Sequence, residues 1–172
     1  PRLCIAGASS GSGKTTVSTA LLKAFSEKIS VCAFKSGPDY IDPMFHRAAL
    51  GIPSFNLDLF LMGEEGVKDS LVRYGGGFDL AVLEGAMGFY DGVSFENEDL
   101  SVCDTCRRLD IPALLVIDTK GMGHSLLAVI EGFLKLHPNT IKGVILNRCK
   151  KTTYTRYKAM IEGQTGIKVY GF

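Results

Sequence analysis

Short apolar runs alternate with amphipathic stretches along the whole chain. The runs at 3–6, 30–34, 80–83, 113–117, 143–146 and 168–170 predict strands. Helical spacing of apolar residues between them predicts helices near 14–28, 43–50, 64–74, 101–109, 123–136 and 153–163. In the stretch 123–136, Leu126, Leu127, Ile130, Phe133 and Leu134 share one helical face. Nearly continuous apolar strands separated by helices imply an α/β fold, a mostly parallel sheet with helices on both faces. No repeat, low-complexity tract or linker interrupts the pattern, so 1–172 reads as one domain. The chain stops at Phe172 directly after a strand-like run, which reads as a domain cut from something longer.

In sheets of this kind ligands bind outside the carboxyl ends of the strands. The polar residues of this chain gather at those ends. The first strand runs into Gly7-Ala8-Ser9-Ser10-Gly11-Ser12-Gly13-Lys14-Thr15-Thr16, and the second into Lys35-Ser36-Gly37-Pro38-Asp39-Tyr40-Ile41-Asp42-Pro43. The third runs into Glu84-Gly85-Ala86-Met87-Gly88-Phe89-Tyr90-Asp91-Gly92, and the next two into Asp118-Thr119-Lys120-Gly121 and Asn147-Arg148.

A strand, a glycine-rich turn, Lys-Thr and a helix together form a cradle for nucleotide phosphates. Glycines let successive backbone N–H groups from Ser10, Gly11, Ser12, Gly13, Thr15 and Thr16 converge on one anion. Lys14 adds a mobile positive charge, and the Thr15 hydroxyl is a magnesium ligand. The spacing is unusual: Ala8 stands five residues before Gly13, where the common motif has glycine, and Gly7 stands six before it. The match is to a loop one residue longer.

Magnesium takes near-octahedral oxygen coordination, with one or two carboxylates beside the phosphates. Glu84, at the end of an apolar strand and flanked by Gly85, is placed for that role. Asp39 and Asp42 fall in a loop stiffened by Pro38 and Pro43. Lys35, at a neighbouring strand end, faces the same pocket and would neutralise a phosphoryl group in transfer.

Nineteen basic and eighteen acidic residues create no field that attracts nucleic acid or an anionic membrane. No apolar run reaches membrane-spanning length, and no signal-peptide pattern opens the chain. Five cysteines, an odd number, suit a reduced cytoplasmic protein better than a disulfide framework. Cys103 and Cys106 form a lone CxxC without the second pair that a zinc site requires, so they read as structural thiols. These features are compatible with a homodimer.

The segments 6–16, 34–43, 56–58, 84–92 and 143–148, in that order, resemble the N-terminal synthetase domain of the cobyrinic acid a,c-diamide synthase family. That family is grouped with dethiobiotin synthetase among P-loop proteins with the longer glycine spacing. The most specific element is Phe34-Lys-Ser-Gly-Pro-Asp-Tyr-Ile-Asp-Pro43. The resemblance implies ATP- and Mg2+-dependent amidation of two carboxylates on a corrinoid or related tetrapyrrole through an acyl phosphate. It implies that Asp39 is a further metal ligand, directly or through water, that Asp42 and Asp91 position the reacting carboxylate or ammonia, that Tyr40, Asn56, Asp58 and Ser101 meet the substrate, and that Asn147 reads adenine. It also implies a C-terminal glutaminase domain, which these 172 residues do not contain. Val102 stands where the family has a threonine.

Four other readings fit less well. A dethiobiotin-synthetase-like enzyme shares the loop and Lys35 but leaves Gly37–Asp42 and Tyr90-Asp91-Gly92 unexplained, and a non-catalytic regulatory domain of this fold leaves the set of Lys14, Lys35, Asp39, Glu84 and Asp91 without a use. Partitioning ATPases carry a second lysine early in the loop, at the position of Ser9 here. Guanine readers need Asn-Lys-x-Asp, whereas Asn147 is followed by Arg148-Cys149-Lys150.

Overall fold

The computed structural model describes residues 1–172. Seven strands alternate with six helices: β1 (Arg2–Gly7), α1 (Lys14–Ser26), β2 (Val31–Ser36), α2 (Ile41–Leu50), β3 (Ser54–Leu57), α3 (Leu59–Gly75), β4 (Leu80–Glu84), α4 (Val102–Arg108), β5 (Ala113–Asp118), α5 (Ser125–Lys135), β6 (Ile141–Asn147), α6 (Lys151–Thr165) and β7 (Val169–Gly171). The strands form one sheet in the order β3-β2-β4-β1-β5-β6-β7. Every pairing is parallel.

The continuous apolar runs behave as their composition demands. All six residues of β2 are buried, because the strand lies inside the sheet and is covered on both faces. Right-handed crossovers carry α1 and α2 to one face, since those connections move leftward in the sheet, and α3 to α6 to the other. The two cores follow this division. Leu22 packs with Ile5, Val31, Val82 and Val116 on the α1 side. Val67, Cys106, Leu126, Ile130 and Ile161 pack with Cys4, Phe34, Leu115 and Leu146 on the other. Cys103 and Cys106 thus fill core volume, and burial pushes the Cys103 thiol up to about 12.

Three differences from the sequence pattern bear on the site. β3 is an additional strand; it follows Pro53, is four residues long and carries the polar Asn56, so only its pairing with β2 defines it. α3 begins five residues before the expected 64, and Gly63 at φ 67° breaks it near that expected start. Asp42 belongs to the first turn of α2 instead of a loop, because α2 starts at Ile41 and places Pro43 inside its first turn, where no intrahelical donor is needed. No helix is long and apolar enough to cross a membrane.

Because the sheet is parallel, the ends of β1, β2, β4, β5 and β6 share one edge. Register places Lys35 of β2 beside Glu84 of β4, and Glu84 beside Ile5 of β1. The phosphate-type loop leaving β1 therefore passes directly over both side chains.

Candidate active site

The loop from β1 to α1 is shaped by three glycines. Gly11 and Gly13 adopt φ 75° and φ 94°, left-handed values that favour glycine. A Cβ on Gly13 would also collide with the Asn147 side-chain amide. Gly7 has a different reason: a Cβ there would meet the Ser12 hydroxyl and press within 2.8 Å of the Lys14 stem. The bare Gly7 lets Lys14 fold back along the loop, where its Nζ donates to the Ser9 carbonyl at 3.1 Å. Glycine six residues before Gly13 is thus a packing requirement of the longer loop. Burial lowers the Lys14 pKa, and the nearby Lys35 charge lowers it further.

Beneath the loop lies a buried ionic cluster. Glu84 is 1 % exposed. Its Oε1 accepts from the Thr15 hydroxyl at 2.6 Å and from Lys35 Nζ at 2.9 Å. Its Oε2 accepts from the Ser18 hydroxyl at 2.5 Å. Burial by itself would raise the carboxyl pKa, but the hydrogen bonds from Ser18 and Thr15 and the Lys35 charge hold it below its ordinary range. Lys35 also donates to Asp42 Oδ2 at 2.5 Å and lies 3.8 Å from Asp39 Oδ2. Burial opposes its charge, yet the Asp42 hydrogen bond and Glu84 overcome that and raise its pKa. Lys35 is a fixed cation at neutral pH, ringed by three carboxylates.

The acidic loop after β2 is held from β3. Asn56 Nδ2 donates to the Gly37 carbonyl at 2.8 Å and to the Asp39 carbonyl at 2.6 Å. Asp39 Oδ1 accepts from the Ile41 N–H at 2.9 Å, which leaves Oδ2 facing Lys35. Asp42 sits at the N-terminal turn of α2, where the helix dipole favours a carboxylate.

These groups surround a cavity of about 480 Å³. Of the residues expected from sequence, Ser10, Gly11, Gly13, Lys14, Thr15, Thr16, Lys35, Asp39 and Asp42 line it. Glu84 forms its floor through Thr15 and Lys35. The remaining expected residues lie outside it. Ser12 is buried under the loop, and its carbonyl accepts from Asn147 Nδ2 at 2.8 Å. Asn147 Oδ1 accepts from the Arg148 N–H, so Asn147 ties β6 to the loop. Asp91 accepts from the Gly88 N–H at 2.8 Å and lines an adjoining hollow with Met87. Asp58 caps α3 by accepting from the Phe60 and Leu61 N–H groups, and Ser101 caps α4 by accepting from Asp104. Ser101 is 1 % exposed, and Val102 beside it packs into the core, so a hydroxyl at 102 would meet protein and not a ligand. Tyr40 projects into solvent at the N-cap of α2.

Ser18, Ser36 and Met87 join the site beyond the residues expected from sequence. Ser18 lies one helical turn beyond Thr15 on the same face of α1, and that spacing was its signal. Ser36 and Met87 line the cavity, and Met87 holds φ 47°, a left-handed conformation unusual outside glycine. His46 of α2 is also buried, with Nδ1 3.3 Å from the Ser54 hydroxyl and Nε2 without a partner.

The donor set fits a magnesium–nucleotide complex. No three carboxylate, histidine or cysteine side chains gather into a cage of their own. Thr15 Oγ1 and Glu84 Oε1 instead offer two hard oxygens side by side under a phosphate-type loop, which matches an ion that keeps waters and phosphate oxygens as its other ligands.

A glycine loop opening a helix, a Lys-Thr pair and an acid at the adjacent strand end define a P-loop nucleotide-binding domain of the α/β class. Residues 3–172 match the model of the CobQ/CobB/MinD/ParA nucleotide binding domain, and the chain belongs to that family. Among curated proteins, it is 44 % identical over 170 residues to the cobyrinate a,c-diamide synthase of Fusobacterium nucleatum, covering 98 % of this chain and 37 % of that protein. The cobyrinate a,c-diamide synthase of Sulfurisphaera tokodaii is 41 % identical over 157 residues, covering 91 % of this chain and 35 % of that protein. The chain thus spans little more than a third of these relatives' length. Among solved structures, chloroplast FtsY from Physcomitrella patens superposes with a TM-score of 0.71 at 18 % identity, covering 98 % of this chain and 56 % of that one. The hydrogenase maturation factor HypB of Archaeoglobus fulgidus gives 0.63 at 13 % identity, covering 99 % of this chain and 80 % of that one. Those two share the fold.

Proposed function

We propose that residues 1–172 form the ATP-binding, carboxylate-activating domain of an amide ligase for the a and c side chains of cobyrinic acid or a related tetrapyrrole. The relatives' shared name supports the substrate class. The observation that carries the chemistry is Lys35, fixed by Glu84 and Asp42 at the wall of the cavity that also holds Lys14 and Thr15. A carboxylate is a poor acyl donor because oxide is a poor leaving group. Bound ATP with Mg2+ would supply the phosphoryl group that converts it into an acyl phosphate, which ammonia opens to the amide.

The chain's own residues serve that reaction in distinct ways. Lys14 and the loop N–H groups bind the phosphates. Thr15 and Glu84 hold the metal, with Asp39 facing the same space. Lys35 supplies fixed positive charge where the transferring group is most anionic. Asp42 keeps Lys35 charged and aimed. Asp91, in the adjoining hollow, orients the incoming carboxylate or ammonia. Asn147 sits where β6 meets the loop and contacts the adenine. In the longer protein a glutaminase domain supplies the ammonia, and the whole works in the cytoplasm.

The test is an amidation assay with ATP, ammonia and cobyrinic acid, read by product mass. Lys14→Ala should abolish nucleotide binding and turnover. Glu84→Gln should keep the circular dichroism of the parent and lose at least about a hundredfold in turnover, as for removal of one electrostatic stabiliser. Parental rates in both variants would sink the assignment.

A further inference from the structure

Glu84 is held more completely than a lone metal-binding acid requires. Strand pairing fixes its backbone between Ile5 of β1 and Lys35 of β2. Its Oε1 takes two donors, the Thr15 hydroxyl and Lys35 Nζ, and its Oε2 takes a third, the Ser18 hydroxyl, at 2.5 Å. The two hydroxyls share one face of α1 but have different surroundings. Thr15 lines the cavity, whereas Ser18 is 0 % exposed and lies outside it. Ser18 has one hydrogen to give. The Thr15 carbonyl, at 3.2 Å, is the back-contact common to helical serines, and Glu84 Oε2 is the closer acceptor. Oε1 therefore sits with the cavity-lining Thr15 and Lys35, while Oε2 is turned into the protein.

We infer that Ser18 is a positioning residue that makes Glu84 a one-oxygen partner for the cation and so selects Mg2+ over Ca2+. Resting on the metal role given above to Thr15 and Glu84, this holds whichever acid is amidated. Both cations are hard and take oxygen, but they differ in what they accept from a carboxylate. Mg2+ demands near-octahedral geometry and keeps several waters, which one carboxylate oxygen beside Thr15 satisfies. Ca2+ takes more oxygens in looser geometry, and both oxygens of one carboxylate suit it. Bringing Oε2 to a cation would take it from Ser18 and leave a buried hydroxyl with only the longer Thr15 contact. That penalty falls on the two-oxygen mode alone. Lys35 supports the same arrangement from the other oxygen, where its Nζ donates at 2.9 Å. Ser18 does not line the cavity and acts only through Glu84.

Nucleotide affinity under different cations tests it. Isothermal titration gives the Kd of a non-hydrolysable ATP analogue in EDTA, in saturating Mg2+ and in saturating Ca2+, for the parent, Ser18→Ala and Ser18→Thr. In the parent, Mg2+ should tighten binding more than Ca2+ does. Ser18→Ala should lose about tenfold or more of the Mg2+ gain, the usual effect of removing a group that orients a metal ligand. Its Ca2+ gain should hold or grow, and its Kd in EDTA should stay parental. Ser18→Thr, which keeps the hydroxyl, should keep the parental preference. Should the added methyl group not fit that buried site, Ser18→Ala decides alone, since alanine favours a helix interior. A parental Mg2+ preference in Ser18→Ala overturns the inference, as does an equal loss of both cation gains or a folded Ser18→Thr that behaves like Ser18→Ala. So does weaker binding of Ser18→Ala in EDTA, which would make Ser18 a structural prop of the loop. A parent that binds equally well with either cation overturns it too. A parent indifferent to any cation would overturn the metal role of Thr15 and Glu84 along with it.

Discussion

Lys35 and Glu84 stabilise each other only as a pair. Each is nearly buried, and each would be costly alone in that setting. Lys35→Met should therefore destabilise the protein by about 3–5 kcal/mol, because Glu84 and Asp42 lose the cation that offsets their burial. The pH dependence follows from the direction of each shift. Glu84 titrates below its ordinary 4.5 in the folded protein, so its contribution is complete above that value and is lost as pH falls through the folded pKa. Lys35 titrates above its ordinary 10.5, so its contribution is complete below that value and is lost as pH rises through the folded pKa. Between those limits the pair is intact. In Lys35→Met the acid loss should begin at a higher pH, which urea unfolding between neutral pH and 4.5 will measure. An unchanged acid limb would mean that Lys35 does not hold Glu84. Lys14, Thr15, Lys35 and Glu84 were legible in the sequence, since each sits at a fixed offset from a strand end. The spacing of Ser18 places it on the Thr15 face of α1, but Glu84 as its partner follows only from the fold.

Helix ends account for two residues that the family resemblance assigned to substrate. Asp58 accepts two N–H groups at the start of α3, and Ser101 accepts one at the start of α4. Asp58→Ala and Ser101→Ala should each cost about 1 kcal/mol of stability, the usual loss of an N-cap, with affinity for the tetrapyrrole substrate unchanged. Thermal unfolding and substrate titration read the two effects separately; a weakened substrate Kd at undiminished stability would assign them a ligand role. Asn56 has a structural role of its own. It lies on β3 and ties the Gly37 and Asp39 carbonyls in place. β3 itself has too short and too polar a run to announce a strand, and its existence depends on the open edge of β2. The longer runs of β1, β4, β5 and β6 declared themselves because buried parallel strands must be apolar on both faces.

At the scale of the molecule, the nucleotide is expected to couple to folding. The cavity draws residues from β1, α1, β2 and α2 and from the loop after β4, so ligand bound there can bind only the folded chain. Mg2+-ATP at a hundredfold excess over its Kd should add about 2.7 kcal/mol. For a domain of this size that is a rise in Tm of roughly 5–10 °C. Calorimetry with and without nucleotide checks it, and Lys14→Ala should remove the shift.

The sequence by itself determined the alternation of strand and helix, the parallel sheet, and the strand ends at which polar chemistry collects. Periodicity and glycine placement are local properties, written into short windows. Tertiary structure decided what those windows could not hold. It set which strand ends stand side by side, bringing Lys35 of β2 against Glu84 of β4 across 49 residues. It turned Asp58 and Ser101 inward as caps. Each of these depends on strand order and crossover hand, and those are fixed only when the whole sheet closes over its two cores.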